Sequence, residues 1–375
     1  VTLMGDVYPK IRVAAVQASS VFLNREATVE KACRLIREAG AAGAKVIGFP
    51  EGFIPGHPLW YHFHPATTHQ SRRFATELFK NSVEIPSPAT DALVNAARQA
   101  GAYVVMGICE KRPATFGTMF NSQLFIGPNG ILGKHQKLVP TVGERLVHTG
   151  GRGDTLRAFD TPYGRISGLI CGENSNPLAI FALIAEETTI HVASWPNAPG
   201  RTALARSDRG IVTGRSFALM SKAFVINACG TVSEEMKEVL AYTPDDRAFL
   251  ADPELSGGSS IIGPDTKPIV GPMGPEEGVL YADIDLEDGV RAKVAHDFAG
   301  HYNRADLFTL VLNDRVPEIF QRLSAVDHKG LPADARPAAV DGVAGDLAFT
   351  GEPANLSTRE PATKSVDRLR SNREA

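Results

Sequence analysis

Cysteine is scarce in this chain and badly placed for cross-linking. The four thiols, Cys33, Cys109, Cys171 and Cys229, lie far apart and include no Cys-x-x-Cys pair. Neither a disulfide scaffold nor a zinc ribbon is indicated, and a reducing cytoplasm is the expected setting. Excess charge is missing as well: 39 Lys and Arg against 42 Asp and Glu give a formal charge of -3, so nothing attracts a nucleic acid or another polyanion. Long apolar runs are absent too. The opening residues Val1-Thr2-Leu3-Met4-Gly5-Asp6 lack a basic segment followed by an apolar one, and no stretch is long enough to span a bilayer, so export and membrane anchoring are not expected.

What is present is ordinary globular material. A chain of 375 residues with 43% hydrophobic content can bury a sizeable core as one large α/β domain or two of usual size. The first part alternates: Ile11 to Gln17 reads as a buried strand, Arg25 to Gly40 as a helix capped by Asn24, and Lys45 to Phe49 as a second strand. Thr90 to Ala100 reads as a helix entered through Ser87-Pro88. Strands follow at Ala102 to Ile108, Ser122 to Ile126 and Ile131 to Gly133, with a hairpin turn at Gly127-Pro128-Asn129-Gly130.

The second half echoes the first. Leu156 to Phe159, Arg165 to Ile170, Ile190 to Ala193 and Ala223 to Ala228 read as strands, and Pro177 to Glu187 and Arg209 to Lys222 as helices. A hairpin of Ser259 to Ile262 and Pro268 to Val270 follows. This alternation implies an α/β fold with a mixed, largely parallel sheet. After about Asp327 the chain is rich in Ala, Pro, Asp, Arg and Ser and poor in aromatics, a composition that buries too little surface to offset ordering entropy. The expected division is a domain over 1–315 and an extension over 316–375.

Three residues able to do chemistry each follow a β-like run. Glu51 comes after Val46-Ile47-Gly48-Phe49-Pro50, Lys137 after Ile131-Leu132-Gly133-Lys134-His135-Gln136, and Cys171 after Arg165 to Ile170. Open α/β sheets present functional groups at the carboxyl ends of their strands, so residues distant in sequence can converge there. Buried cysteines are usually inert hydrophobes, and Cys33 and Cys229 read that way. Cys171 differs, because Gly172 permits a tight turn and Glu173-Asn174-Ser175-Asn176-Pro177 leads into a helix whose positive end would lower a thiol pKa. The apolar, rigid surroundings of Glu51 favour burial and a raised pKa suited to a general base. His57, His62, His64 and His69 cluster locally, but with Pro58 and Pro65 among them and no nearby thiolate or carboxylate they define no coordination geometry, so no metal is expected.

Phe49-Pro50-Glu51, Lys137-Leu138-Val139-Pro140-Thr141 with Glu144-Arg145, and Cys171-Gly172-Glu173-Asn174 resemble, in order, the three signatures of the nitrilase (carbon–nitrogen hydrolase) superfamily. The likeness runs from about Ile11 to about Leu310, where His301-Tyr302-Asn303-Arg304-Ala305-Asp306 is similar to a late segment of the family. The wording Lys-Leu-Val-Pro-Thr and Gly-Glu-Asn-Ser-Asn-Pro-Leu favours the nitrilase branch. The resemblance implies an α-β-β-α sandwich and a triad of Glu51, Lys137 and Cys171, with Glu144 as a supporting acid and no metal or organic cofactor. It also implies a small-molecule nitrile substrate and homo-oligomers, dimers that extend into spirals through the region after Glu51 and the C-terminal tail.

Tyr61, Gly172, Glu173, Asn174, Trp195 and Pro196 are the residues expected to face substrate, with core or subunit packing the alternative for the aromatic ones. Many nitrilases carry a bulky aromatic after the nucleophile where this chain has Gly172. Two other activities remain open: an aliphatic amidase or N-carbamoyl hydrolase with the same machinery, and a catalytically silent binding or assembly protein on the same scaffold.

Overall fold

A computed structural model of the chain describes residues 5–197 and 206–316, together with Phe320. The chain divides into a unit of residues 1–317 and one of 318–375. Of the second only Phe320 is described, and the extension expected from residue 316 lies otherwise outside the described residues.

The first half contains β1 (Lys10–Gln17), α1 (Arg25–Ala41), β2 (Ala44–Gly48), α2 (His69–Asn81), α3 (Pro88–Ala100), β3 (Tyr103–Lys111), β4 (Met119–Gly127) and β5 (Gly130–Gln136). The second contains β6 (Phe159–Thr161), β7 (Gly164–Ile170), α4 (Pro177–Ala185), β8 (Thr188–Trp195), α5 (Arg206–Ser221), β9 (Phe224–Cys229), α6 (Glu234–Leu240) and α7 (Pro244–Leu250). It closes with β10 (Ser260–Ile262), β11 (Pro268–Val270), β12 (Gly278–Asp285) and α8 (Leu286–Ala295). Local sequence chemistry starts the helices where expected. The Asn24 side chain accepts from Ala27 N–H at α1, and the Asn176 side chain accepts from Leu178 and Ala179 N–H at α4, satisfying donors that a helix start leaves without partners.

The strands form two six-stranded sheets, in the orders β12-β1-β2-β3-β4-β5 and β11-β10-β9-β8-β7-β6. The largely parallel sheet expected from the alternation is therefore corrected. Among the described strands parallel ladders join only β1-β2-β3 and β7-β8-β9, and hairpins and β12 add antiparallel strands on either side. The expected strand at Leu156 to Phe159 is also shifted, since Gly153–Thr155 forms a 3-10 turn and β6 begins only at Phe159.

Side-chain alternation builds the layers. Val13, Val46, Val105 and Phe125 of the first sheet meet Ile166, Ile190, Val192 and Phe224 of the second in a buried interface. The opposite face of the first sheet, with Ala14, Ile47, Val104 and Leu124, is covered by α1 and α3 through Leu35, Ile36, Leu93 and Ala97. Leu169, Ala193 and Val225 of the second sheet pack against Ile180, Leu183 and Phe217 of α4 and α5. Burial on both faces is why the central strands read as continuous apolar runs. The result is the expected α-β-β-α sandwich.

Candidate active site

Each of the three reactive residues sits one to three residues past the end of a strand. After β2, Phe49 N–H donates to Val105 O at 2.9 Å, and Glu51 N–H donates across the sandwich to Trp195 O at 3.2 Å. Ser194 Oγ donates to Phe49 O at 2.8 Å. This close approach requires Gly107, because a Cβ there would stand 1.9 Å from Pro50 O. Lys137 N–H donates to Asn121 O at 2.8 Å and Lys137 O accepts from Gly151 N–H at 2.7 Å. Cys171 opens the 3-10 turn Cys171–Ser175 with φ of 55°, a left-handed value that a non-glycine residue adopts at a cost on the order of 1 kcal/mol or more.

Glu51 is 3% exposed and Lys137 1% exposed. Lys137 Nζ donates to Glu51 Oε1 at 2.8 Å and to Glu144 Oε2 at 2.6 Å. Asn121 Nδ2 lies 2.7 Å from Glu51 Oε1 and 2.6 Å from Glu144 Oε1. Glu144 also accepts from Thr141 N–H at 2.9 Å and from His148 Nδ1 at 3.2 Å. Among the described residues no protein donor reaches Glu51 Oε2, although that oxygen is buried. Two carboxylates thus share one ammonium and one amide, and a single carboxylate oxygen stays available as a proton acceptor.

The electrostatics follow from burial opposed by charge. Burial pushes the Glu51 carboxyl up to about 7, with Lys137 pulling it down and Glu144 pushing it further up. Burial also acts to raise Glu144, but Lys137 outweighs it, aided by His148, and holds that carboxyl well below its usual range. Burial opposes the ammonium of Lys137, yet the charges of Glu51, Cys171 and Glu144 keep its pKa raised. The Cys171 thiol is pushed up to about 12, first by burial and then by the charge of Glu51, against the pull of Lys137. The lowered thiol pKa expected from the α4 start is therefore corrected, because desolvation and a neighbouring carboxylate outweigh the helix end. The charges of Glu51 and Lys137 both act on the Cys171 thiol, and the charge of Cys171 in turn acts on Lys137.

The family model for carbon-nitrogen hydrolases matches residues 12–293. A nitrilase of Bacillus sp. (strain OxB-1) is 38% identical over 306 residues, covering 81% of this chain and 88% of its own length. An aliphatic nitrilase of Sinorhizobium fredii (strain HH103) is 36% identical over 313 residues, covering 81% of this chain and 96% of its own. The chain belongs to the carbon–nitrogen hydrolase family. The sandwich of this carbon–nitrogen hydrolase is shared with a solved Saccharomyces cerevisiae protein of branch 10 of the nitrilase superfamily. That structure has a TM-score of 0.60 at 20% identity and covers 80% of this chain and 99% of the yeast one, a likeness that speaks for the fold.

Around the reactive group, the hydrolase places the residues expected to face substrate in two kinds of setting. Gly172 is open: an added Cβ would meet only Thr141 Oγ1, at 4.0 Å. Tyr61 is half-buried, and a Cβ on Gly143, beside Glu144, would stand 2.7 Å from its own Cβ. Pro196 is buried where the chain leaves β8. Trp195, in contrast, belongs to the core under α4 and α5, and its Nε1 donates to Asn227 Oδ1 at 3.1 Å.

Glu173 and Asn174 are buried, and their polar atoms are engaged by protein partners. Asn174 Nδ2 donates to Leu169 O at 3.2 Å and Cys171 O at 3.0 Å, while its Oδ1 lies 3.0 Å from His191 Nε2. His191 bonds Ser167 Oγ through Nδ1 at 2.9 Å, and burial pushes its ring pKa down to about 3, so it is neutral. Both residues brace the turn that carries Cys171.

Sequence reasoning missed Asn121 and His148, and it set His57 aside as having no carboxylate nearby, which the structure corrects. Asn121-Ser122-Gln123 is a polar triplet inside the otherwise apolar β4, an anomaly that marks a site because buried polar groups need partners. His57 Nδ1 stands 3.7 Å from Glu51 Oε1, and burial drives its pKa well below the usual histidine value, so its ring is neutral. His148 follows Glu144 by one helical turn's spacing, which is the local signal that was available.

Proposed function

We propose that this hydrolase is a nitrilase, converting an organic nitrile and water into a carboxylic acid and ammonia. In this reading Glu51 Oε2 takes the proton of Cys171 as sulfur attacks the nitrile carbon. The developing charge on nitrogen is stabilised by the Lys137 ammonium and by backbone N–H groups near Gly172, and Glu51 passes the thiol proton on to that nitrogen, giving a thioimidate and regenerating the carboxylate. Glu51 then takes a proton from an attacking water and delivers it to nitrogen, the hydroxyl of the resulting adduct gives up its proton to nitrogen by the same route, and the carbon–nitrogen bond breaks to release ammonia and leave a thioester. A second water cleaves the carbon–sulfur bond, releasing the acid and restoring the thiol.

The observation that carries the reading is the division of labour on Glu51: Oε1 is engaged by Lys137 and Asn121, while Oε2 is buried with no protein donor among the described residues, and the Glu51 charge acts on the Cys171 thiol. A carboxyl near pH 7 and a thiol near 12 keep the resting proton on sulfur, and transfer accompanies attack. The choice of nitrile over amide is supported by the relatives named as nitrilases. Ammonia release from a panel of nitriles and the matching amides tests it, and turnover of amides with none of nitriles would overturn it in favour of an amidase.

The same proposal includes a catalytic domain ending near residue 315, a homo-oligomer and a cytoplasmic setting. Exposed apolar residues on α4 and α5, Leu178 at 64%, Val212 at 50% and Leu219 at 56%, support self-association. No disulfide joins the four cysteines, which suits a reducing compartment, and among the described residues no helix is long and apolar enough to cross a membrane. Light scattering that finds only a monomer at micromolar concentration would reject the oligomer.

A further inference from the structure

Glu173 lies two residues past Cys171 and is 7% exposed. Its Oε2 accepts from the backbone N–H of Ile170 at 3.0 Å and from His135 Nε2 at 3.0 Å, and its Oε1 accepts from the backbone N–H of Leu138. Ile170 immediately precedes Cys171 at the end of β7, in the second sheet. Leu138 immediately follows Lys137, just past the end of β5 in the first sheet. One buried carboxylate therefore grips the backbone beside the thiol and the backbone beside the ammonium, across the gap between the sheets. His135, on β5, supplies the third donor and ties the carboxylate to the strand that delivers Lys137.

We propose that Glu173 is a positioning residue: a clasp, held by His135, that fixes the separation between the Cys171 sulfur and the Lys137 ammonium. The proposal rests on the nitrilase reading for the roles of those two residues. Cys171 sits at a backbone angle that does not hold itself, and Lys137 reaches the site from the other sheet, so their spacing requires a link between sheets. Other bonds cross the sheets, but Glu173 joins the residues directly next to Cys171 and Lys137. A carboxylate suits the task because all three partners are donors, and only an acceptor on both oxygens can satisfy them. A glutamine would turn its amide N–H toward one of these donors and break one side of the clasp. Since a carboxylate accepts only, His135 carries its proton on Nε2.

The test uses the full-length chain with Glu173→Gln, His135→Leu and His135→Gln, each checked for folding by circular dichroism and thermal melting. Glutamine at 135 can place a donor where Nε2 stood; leucine cannot. The readouts are kcat and KM on a turned-over nitrile, and the pH dependence of Cys171 alkylation by iodoacetamide with Cys171→Ala as the background. Misplacement of reacting groups by about 1 Å lowers kcat by about 10²-fold, so Glu173→Gln and His135→Leu should lose roughly that factor with little change in KM. Alkylation at mildly alkaline pH should slow in parallel as the ammonium moves away from sulfur, and His135→Gln should recover most of both losses.

Folded Glu173→Gln or His135→Leu proteins with wild-type kcat and an unchanged alkylation profile would overturn the clasp. So would a His135→Gln protein as impaired as His135→Leu. If Glu173→Gln does not fold, the His135 pair decides. Alkylation needs no substrate, so a wild-type protein that prefers amides would sink the nitrilase reading and leave the clasp to be judged on its own readout.

Discussion

Asn121 hydrogen-bonds the same oxygen of Glu51 that Lys137 does, at 2.7 Å beside 2.8 Å. That doubling is what leaves Oε2 as the free acceptor. An Asn121→Leu change keeps similar volume but removes a donor from two buried carboxylates, and each such charge-assisted bond is worth roughly 1.5–3 kcal/mol. A lower melting temperature is expected. Because this bond pulls the Glu51 pKa down, its loss should also move the acid limb of the kcat/KM profile to higher pH. A variant that is destabilised but keeps its limb in place would make Asn121 purely structural.

Glu51→Gln separates the base from the scaffold. A glutamine oxygen can still accept from Lys137 and Asn121, so the protein should fold, but no group at that position can then take the thiol proton. General-base catalysis contributes about 10²–10⁴-fold, and a fall in kcat within or beyond that range is expected from a variant that still folds. Steady-state kinetics on purified protein checks it. Activity within a few-fold of wild type would place the base elsewhere.

Two pH effects follow from the raised Glu51 carboxyl, and they run in different directions. Activity needs the ionised form, so kcat/KM should rise through about pH 7 as Glu51 loses its proton. For stability, the folded state holds this proton more tightly than the unfolded chain does. Its contribution is therefore fully present below the ordinary value of 4.5 and lost as pH rises through about 7. Glu144, with a lowered carboxyl, acts oppositely and loses its contribution only as pH falls below 4.5. Between those values, urea melts of wild type and Glu51→Gln should diverge, with the wild type losing stability relative to the variant as pH increases. Parallel stability curves would show that Glu51 titrates like an exposed carboxyl.

Much of this architecture was legible because the sequence signals were local. Asn24 and Ser87-Pro88 announce helix starts, and Gly127-Pro128-Asn129-Gly130 announces a hairpin that β4 and β5 do form. The reactive residues stood out because each follows a β-like run. What could not be read depended on partners distant in the chain. β12 pairs with β1 from the other end of the domain, Lys10 opposite Asp285, and its half-exposed residues show no buried-strand run. Helix α2 was obscured by the histidines before it. The partners of Glu173 are fixed by the contact between sheets, so its sequence position suggested a residue facing substrate rather than a link between strands. The pKa of Cys171 was misjudged for a related reason: the α4 start is a local feature, whereas desolvation and the Glu51 charge come from the assembled sandwich.

Gly172 gives a prediction that depends on open space rather than charge. An added Cβ there meets nothing nearer than Thr141 Oγ1 at 4.0 Å, so Gly172→Ala should fold with stability within about 0.5 kcal/mol of wild type, as for a substitution that touches no packed neighbour. A large aromatic has to fill the space beside the thiol. Gly172→Trp should therefore raise KM for bulky nitriles while sparing small aliphatic ones, because the loss is steric and grows with the size of the group next to the reacting carbon. A nitrile series of increasing bulk, measured on wild type and both variants, reads this directly. If Gly172→Trp changes every substrate by the same factor, the open space is not part of the substrate's path, and the bound nitrile must approach Cys171 from another side.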